Sequence, residues 1–197
     1  VNAICSLLDI DEGEFLVNGF NFKEIKKSSY RRKIGYITQE PTIFNADIFD
    51  NVSFWDKRTP ENLEKFWKVI QMCSLEKFIK DLPNQEKELL GNNGINISGG
   101  QKQRVSIARE LYRDVDLLIM DEATSALDSE TEKEIKDSID SLKGKVTLIS
   151  IAHRLSTIRD VDMIYLMDKG KIIGSGNFEE LKRKSDYFKK LAGLQGM

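Results

Sequence analysis

The residues best suited to chemistry fall in two short stretches. Asn96-Ile97-Ser98-Gly99-Gly100-Gln101-Lys102-Gln103-Arg104 puts a small hydroxyl and two glycines at the mouth of a strongly helical run. Asp116-Leu117-Leu118-Ile119-Met120-Asp121-Glu122 is an apolar run that ends in two adjacent carboxylates. A hydroxyl, bare backbone amides and the positive end of a helix make an anion site, so Ser98 to Gln101 read as a phosphate contact. The plain alternative is an ordinary helix cap with a flexible turn. A strand that delivers Asp121 and Glu122 to a sheet edge turns their side chains opposite ways, which separates two jobs. Asp121 can hold a Mg²⁺ ion through its water shell, and Glu122 can orient and deprotonate an attacking water. Two solvated carboxylates ending a strand are the alternative. His153, the single histidine, follows a second apolar run; it can contact a terminal phosphate and hold the water, or serve packing alone. Gln39 can approach the metal or the water, or simply occupy a turn.

The elements that must position these groups follow from apolar periodicity. Val1 to Leu8 has apolar residues at positions 1, 4, 7 and 8, a helical spacing without an N-cap ahead of it. Glu14 to Val17 reads as a strand closed by the turn pair Asn18-Gly19. Ser28 to Lys33 reads as a basic helical turn, and Ile34 to Thr38 as a strand ended before Pro41. Asp47 to Phe54 reads as a short helix with Phe44, Ile48 and Val52 on one face. Thr59 caps a helix with Pro60 at its first position, and a shorter helix runs from Leu75 to Leu82. The polar stretch 84–96 is a loop. Ser98 then caps a long helix lined by Val105, Ala108, Leu111, Tyr112 and Val115. Leu117 to Met120 and Val146 to Ile151 read as buried strands, with a helix from Ser129 between them. A hairpin turns at Asp168-Lys169-Gly170, and helices over 178–184 and 186–191 finish the chain. Strands alternating with helices predict an α/β layer with a mostly parallel sheet. Gln39, Asp121, Glu122 and His153 each follow a strand, so one carboxyl edge collects them, where such sheets bind ligands.

Composition narrows the class. The 197 residues carry 32 acidic against 30 basic side chains, a formal charge of -2. A general nucleic-acid binder needs a surplus of Lys and Arg, so no nucleic-acid partner is expected. No apolar run approaches the roughly 18 residues of a membrane span, and no basic segment leading into an apolar core is visible at the start. Cys5 and Cys73 are read as two buried thiols rather than a disulfide. The chain is expected to face the cytosol.

The order of these motifs resembles the nucleotide-binding domain of an ATP-binding cassette (ABC) transporter, over essentially the whole chain. Ile97-Ser98-Gly99-Gly100-Gln101 is similar to that family's signature sequence, with Ile where Leu is usual. Leu117-Leu118-Ile119-Met120-Asp121-Glu122 resembles the Walker B strand and catalytic glutamate. Ser125-Ala126-Leu127-Asp128 resembles the D-loop, Gln39 the Q-loop and His153 the switch histidine. The resemblance implies a P-loop NTPase (RecA-like) α/β core in one domain over 1–197, with a helical subdomain at about 41–95. It implies a head-to-tail dimer using ATP and Mg²⁺. Ser98, Gly99, Gly100, Gln101 and Asp128 would then be cofactor-binding, with Ser98 and Gly100 touching the γ-phosphate of ATP held by the opposite subunit and Asp128 crossing the dimer interface. Glu122, His153 and Gln39 would be catalytic, with Asp121 and Gln39 at the metal. Gln39-Glu40-Pro41-Thr42-Ile43-Phe44-Asn45 and Phe178-Glu179-Glu180-Leu181 look like the exporter type, which implies a transmembrane partner and the cytoplasmic face of the cell membrane. The loop Leu89-Leu90-Gly91-Asn92-Asn93-Gly94 departs from the exporter pattern, which carries acidic residues beside its first glycine.

The phosphate loop G-x-x-x-x-G-K-[ST] occurs nowhere in these 197 residues. The resemblance places it just ahead of Val1, so that Val1 to Leu8 is the helix it feeds and the first strands lie further upstream. The chain alone is therefore expected to bind ATP poorly and hydrolyse almost none, and to expose unpaired strand edges. The remaining alternatives are a soluble ABC ATPase without a transport role and a non-catalytic ABC-like interaction module.

Overall fold

A computed structural model describes residues 1–94, 96–121, 139–140, 142–152 and 155–194. Glu122, Asp128, His153 and most of the helix expected from Ser129 lie outside the described residues. Two units are distinguished, Val1–Ile151 and Ala152–Met197.

The first unit is built on a parallel sheet of β3 (Ile34–Ile37), β4 (Leu117–Asp121) and β5 (Thr147–Ile151), in the order β3-β4-β5. Tyr36 stands opposite Ile119, Ile37 opposite Met120 and Asp121 opposite Ile151. Because side chains alternate along each strand, Ile37, Leu118 and Met120 share one face and Ile34, Tyr36, Ile119 and Asp121 the other. The first face packs against α5 (Gly99–Tyr112) through Val105, Ala108 and Tyr112. Gly35 permits the close approach, since a Cβ there would lie 2.8 Å from the Leu118 side chain and 2.9 Å from Glu110 Cβ. The opposite face meets Ile4 and Cys5. Central β4 is buried as expected, but β5 is not: Thr147 and Ser150 are exposed. Among the described residues β5 pairs with β4 alone, and its other flank is open there.

Val1 to Leu8 does not form the expected helix. It makes a single turn, with the Cys5 N–H donating to the Val1 carbonyl at 2.9 Å, and Ser6 at φ 57° diverts the chain. The apolar spacing still delivers Cys5 to the sheet, where it is buried and free, as is Cys73. β1 (Leu16–Val17) and β2 (Phe20–Asn21) form a hairpin through Asn18 and Gly19, at φ 51° and 82°. Positive φ at both central residues is the demand of a type I′ turn. α1 (Lys27–Arg32) follows, and Tyr30 Oη donates to the Ile4 carbonyl at 2.9 Å.

Residues 41–98 carry further helices of this unit. α2 (Ile48–Ser53) is capped by Asp47 and α3 (Pro60–Met72) by Thr59, with Pro60 in the first turn; α4 (Glu76–Lys80) is short. Phe49, Phe66, Ile70, Leu75 and Ile79 form their core with Ile107 of α5. Phe44, expected on one helix face with Ile48 and Val52, lies outside α2, because the Asp47 cap starts the helix one turn later.

The second unit pairs β6 (Ile164–Asp168) antiparallel to β7 (Lys171–Gly176), followed by α6 (Phe178–Lys184) and α7 (Asp186–Leu194). Ile164, Leu181, Phe178 and Phe188 form its core, with the two phenyl rings edge to face at 5.3 Å.

Candidate functional site

The start of α5 is fixed by its own sequence. Ser98 Oγ accepts the Gln101 N–H at 3.2 Å, and Gln101 Oε1 accepts the Ser98 N–H at 2.9 Å. This reciprocal capping box satisfies two backbone donors at the helix end and holds the turn in place. The first intrahelical bond after Ser98 is Lys102 N–H to the Ser98 carbonyl, 3.0 Å. The amides of Gly99 and Gly100 therefore have no partner within the helix. Ser98 and Gly99 are exposed and Gly100 is buried. The preceding loop is tightly seated: Gly94 has φ +63°, and a Cβ there would lie 3.1 Å from Ile97 and 3.2 Å from Ile43 and Lys102.

The rest of the helix is anchored by two arginines. Arg104 donates to the Ser74 carbonyl at 3.0 Å. Arg109, 5% exposed, donates to the Asn51 carbonyl at 2.6 Å, the Thr42 carbonyl at 2.8 Å and Asn51 Oδ1 at 3.1 Å. Its guanidinium also lies 4.9 Å from the Phe44 ring centre and 5.4 Å from that of Phe54. Burial holds its pKa below the ordinary arginine value, with Glu110 opposing. Arg109 thus joins the helix that starts at Ser98 to the segment that follows Gln39. The sequence reading passed over it. Its signal was present: position 109 is four beyond Val105, on the core-facing side of α5, where a charged residue demands a partner.

Asp121 is the last residue of β4 and is half-buried. Its Oδ2 accepts the Tyr36 phenol at 2.7 Å. The hydrogen bond that the phenol donates to this carboxylate, then burial, then repulsion between the two anions push the Tyr36 pKa up to about 12. Gln39 is exposed, two residues beyond β3. Since Ile37 is level with Met120, Gln39 and Asp121 leave the sheet at the same carboxyl edge. A Mg²⁺ ion prefers hard oxygens, keeps most of its waters and takes one or two carboxylates rather than a protein cage. A single partly exposed carboxylate at a sheet edge fits that demand. Among the described residues no cluster of three or more His, Cys, Asp or Glu could hold a metal.

The structure brings Gln39 and Asp121 to one edge but does not join Ser98 to Gln101 with Asp121. No hydrogen bond or ion pair links them among the described residues. A cleft of about 490 Å³ lies elsewhere, lined by Leu8, Asp9, Phe15, Phe22 and Lys27. Of its two lysines, Lys23 and Lys27, the second is paired with Asp9 at 2.5 Å.

Comparison with known proteins fits this arrangement. Residues 1–125 match the family model described as "ABC transporter". The chain is 41% identical over 173 residues to the heterocyst differentiation ATP-binding protein HepA of Nostoc sp., which covers 88% of this chain and 28% of that protein. It is 39% identical to mouse ATP-binding cassette sub-family B member 5, over 98% of this chain and 15% of that protein. It is 37% identical to the ATP-dependent lipid A-core flippase of Desulfotalea psychrophila, over 98% of this chain and 34% of that protein. The solved structure of a bacterial Atm1-family ABC exporter with ATP bound superposes with a TM-score of 0.87 and 31% identity, covering 100% of this chain and 34% of that one. The chain thus spans about a third or less of the length of these relatives. No described helix is long and apolar enough to cross a membrane. With its family model matched over residues 1–125 and its fold shared with a solved exporter, the chain belongs to the ABC transporter family.

Proposed function

We propose that these residues form part of the ATP-hydrolysing motor domain of an ABC exporter, lying on the cytoplasmic face of a membrane and coupled to a transmembrane partner. The relatives named as a flippase and a sub-family B member support the transport role. The observation that carries the chemistry is the parallel register of β3 and β4, through which Gln39 and Asp121 share one edge of the sheet.

In this reading two copies meet head to tail. The backbone amides of Gly99 and Gly100, with the Ser98 hydroxyl, donate hydrogen bonds to the terminal phosphate of ATP held by the opposite copy. Gln101 keeps Ser98 in place through the capping box. Asp121 and Gln39 would hold a hydrated Mg²⁺ ion, which when bound neutralises charge on the β- and γ-phosphate oxygens. Glu122 takes the proton of the attacking water, His153 steadies that water against the phosphate, and Asp128 reaches across to the other copy. Helices over about 41–95 form a subdomain that turns with α5, because Arg109 ties the two together.

Turnover requires a phosphate loop, and these 197 residues contain none. The experiment therefore compares the 197-residue chain with the same chain joined upstream to a G-x-x-x-x-G-K-[ST] loop. The first is expected to show no ATPase above background and the second to turn over ATP. Glu122→Gln in the second is expected to lower kcat by at least about a hundredfold while ATP binding persists, as loss of a general base does. Unchanged turnover in Glu122→Gln would remove the proposed mechanism.

A further inference from the structure

We propose that Tyr36 is a positioning residue for Asp121, holding one carboxylate oxygen so that the other stays available to the hydrated metal; the inference rests on the metal role proposed for Asp121. The phenol donates to Asp121 Oδ2 at 2.7 Å, whereas Oδ1 has no hydrogen-bond partner among the described residues. The two side chains meet through the sheet. Tyr36 is level with Ile119, and Asp121 lies one alternation further along the same face, a diagonal that an aromatic side chain can span. The Tyr36 ring is held in turn by Cys5, Ile34 and Ile119, so its hydroxyl is a fixed point.

The terminal torsion of an aspartate is broad. A carboxylate at a strand end therefore swings unless something holds it. Partners that orient metal-binding carboxylates change metal affinity about 10- to 100-fold when removed. A tyrosine suits this duty, because its hydroxyl donates without adding charge beside the metal. Phenylalanine at position 36 would keep the ring in its packing and lose only the donated bond.

The test uses the chain joined to a phosphate loop, with a non-hydrolysable ATP analogue, and reads Mn²⁺ binding by electron paramagnetic resonance. Tyr36→Phe is expected to weaken Mn²⁺ binding about tenfold, within the range for lost orienting partners. Analogue affinity without metal and the melting temperature of the 197-residue chain should stay near those of the unaltered protein. If Asp121→Asn loses Mn²⁺ binding while Tyr36→Phe keeps it within twofold, the tyrosine only packs and the inference is wrong. If Asp121→Asn also leaves Mn²⁺ binding unchanged, the metal role of Asp121 falls, and this inference with it. Equal weakening with a large drop in melting temperature for Tyr36→Phe would assign the bond to stability and overturn the positioning role.

Discussion

At the scale of the residue, the buried charges of α5 carry the most readable physics. Glu110 is 8% exposed, and burial raises its pKa above the ordinary 4.5, with Arg113, Arg109 and the Tyr36 backbone N–H opposing. Arg113 approaches it at 2.7 Å. A carboxyl whose folded pKa lies above its unfolded value holds its proton longer in the folded state. Its contribution to stability is complete below pH 4.5 and is lost as pH rises through the raised value. Glutamine cannot ionise, so the melting temperature of Glu110→Gln minus that of the unaltered chain should grow more positive from pH 4 towards pH 7. A flat or falling difference over that range would show that Arg113 more than offsets burial. Ser98 was legible at this scale, because a serine followed three positions later by glutamine ahead of an apolar run is a local signal. Tyr36 was not. Its bond to Asp121 spans 85 positions and exists only once the register of β3 and β4 is known.

Among elements, α5 joins the parallel sheet to α2 and α3 of the first unit, and its sequence announced it. Its length, its cap and the side packed with Val105, Ala108 and Tyr112 follow from spacing alone. The turn at Asn18-Gly19 and the Thr59-Pro60 helix start were equally plain, since each depends on one or two residues with strong backbone preferences. Val1 to Leu8 misled, because two turns of apolar spacing fit both a helix and a single turn that sets Cys5 on the sheet. β5 departs from the expected burial as well: Thr147 and Ser150 are exposed, and β4 is its one partner among the described residues. The clasp from α5 to residues 42–54 has a measurable strength. Arg109→Lys keeps the charge but loses the planar fork that reaches two carbonyls and Asn51 Oδ1. Urea unfolding of the 197-residue chain should show a loss of about 2–4 kcal/mol, the scale for breaking a buried, charge-assisted network. A loss below about 0.5 kcal/mol would mean that the aromatic rings and the apolar core hold the clasp without the arginine.

For the molecule as a whole, the central claim is that Ser98 works on a neighbour's nucleotide and Glu122 on its own. Among the described residues no hydrogen bond or ion pair joins Ser98 to Asp121, as expected of a shared site. The claim has a direct test in the chain joined to a phosphate loop. Ser98→Arg blocks the anion face and Glu122→Gln removes the base, so each variant alone should be inactive. Mixed in equal amounts and allowed to exchange partners, they form pairs in which one site has both an intact Ser98 and an intact Glu122. Steady-state ATP turnover of the mixture should return to roughly a quarter of the unaltered rate, one working site in half of the dimers. A second chain with both substitutions, mixed with the unaltered protein, should form inactive pairs. Turnover that stays at background when the two single variants are mixed would contradict the account, because it would place Ser98 and Glu122 in the same chain's site.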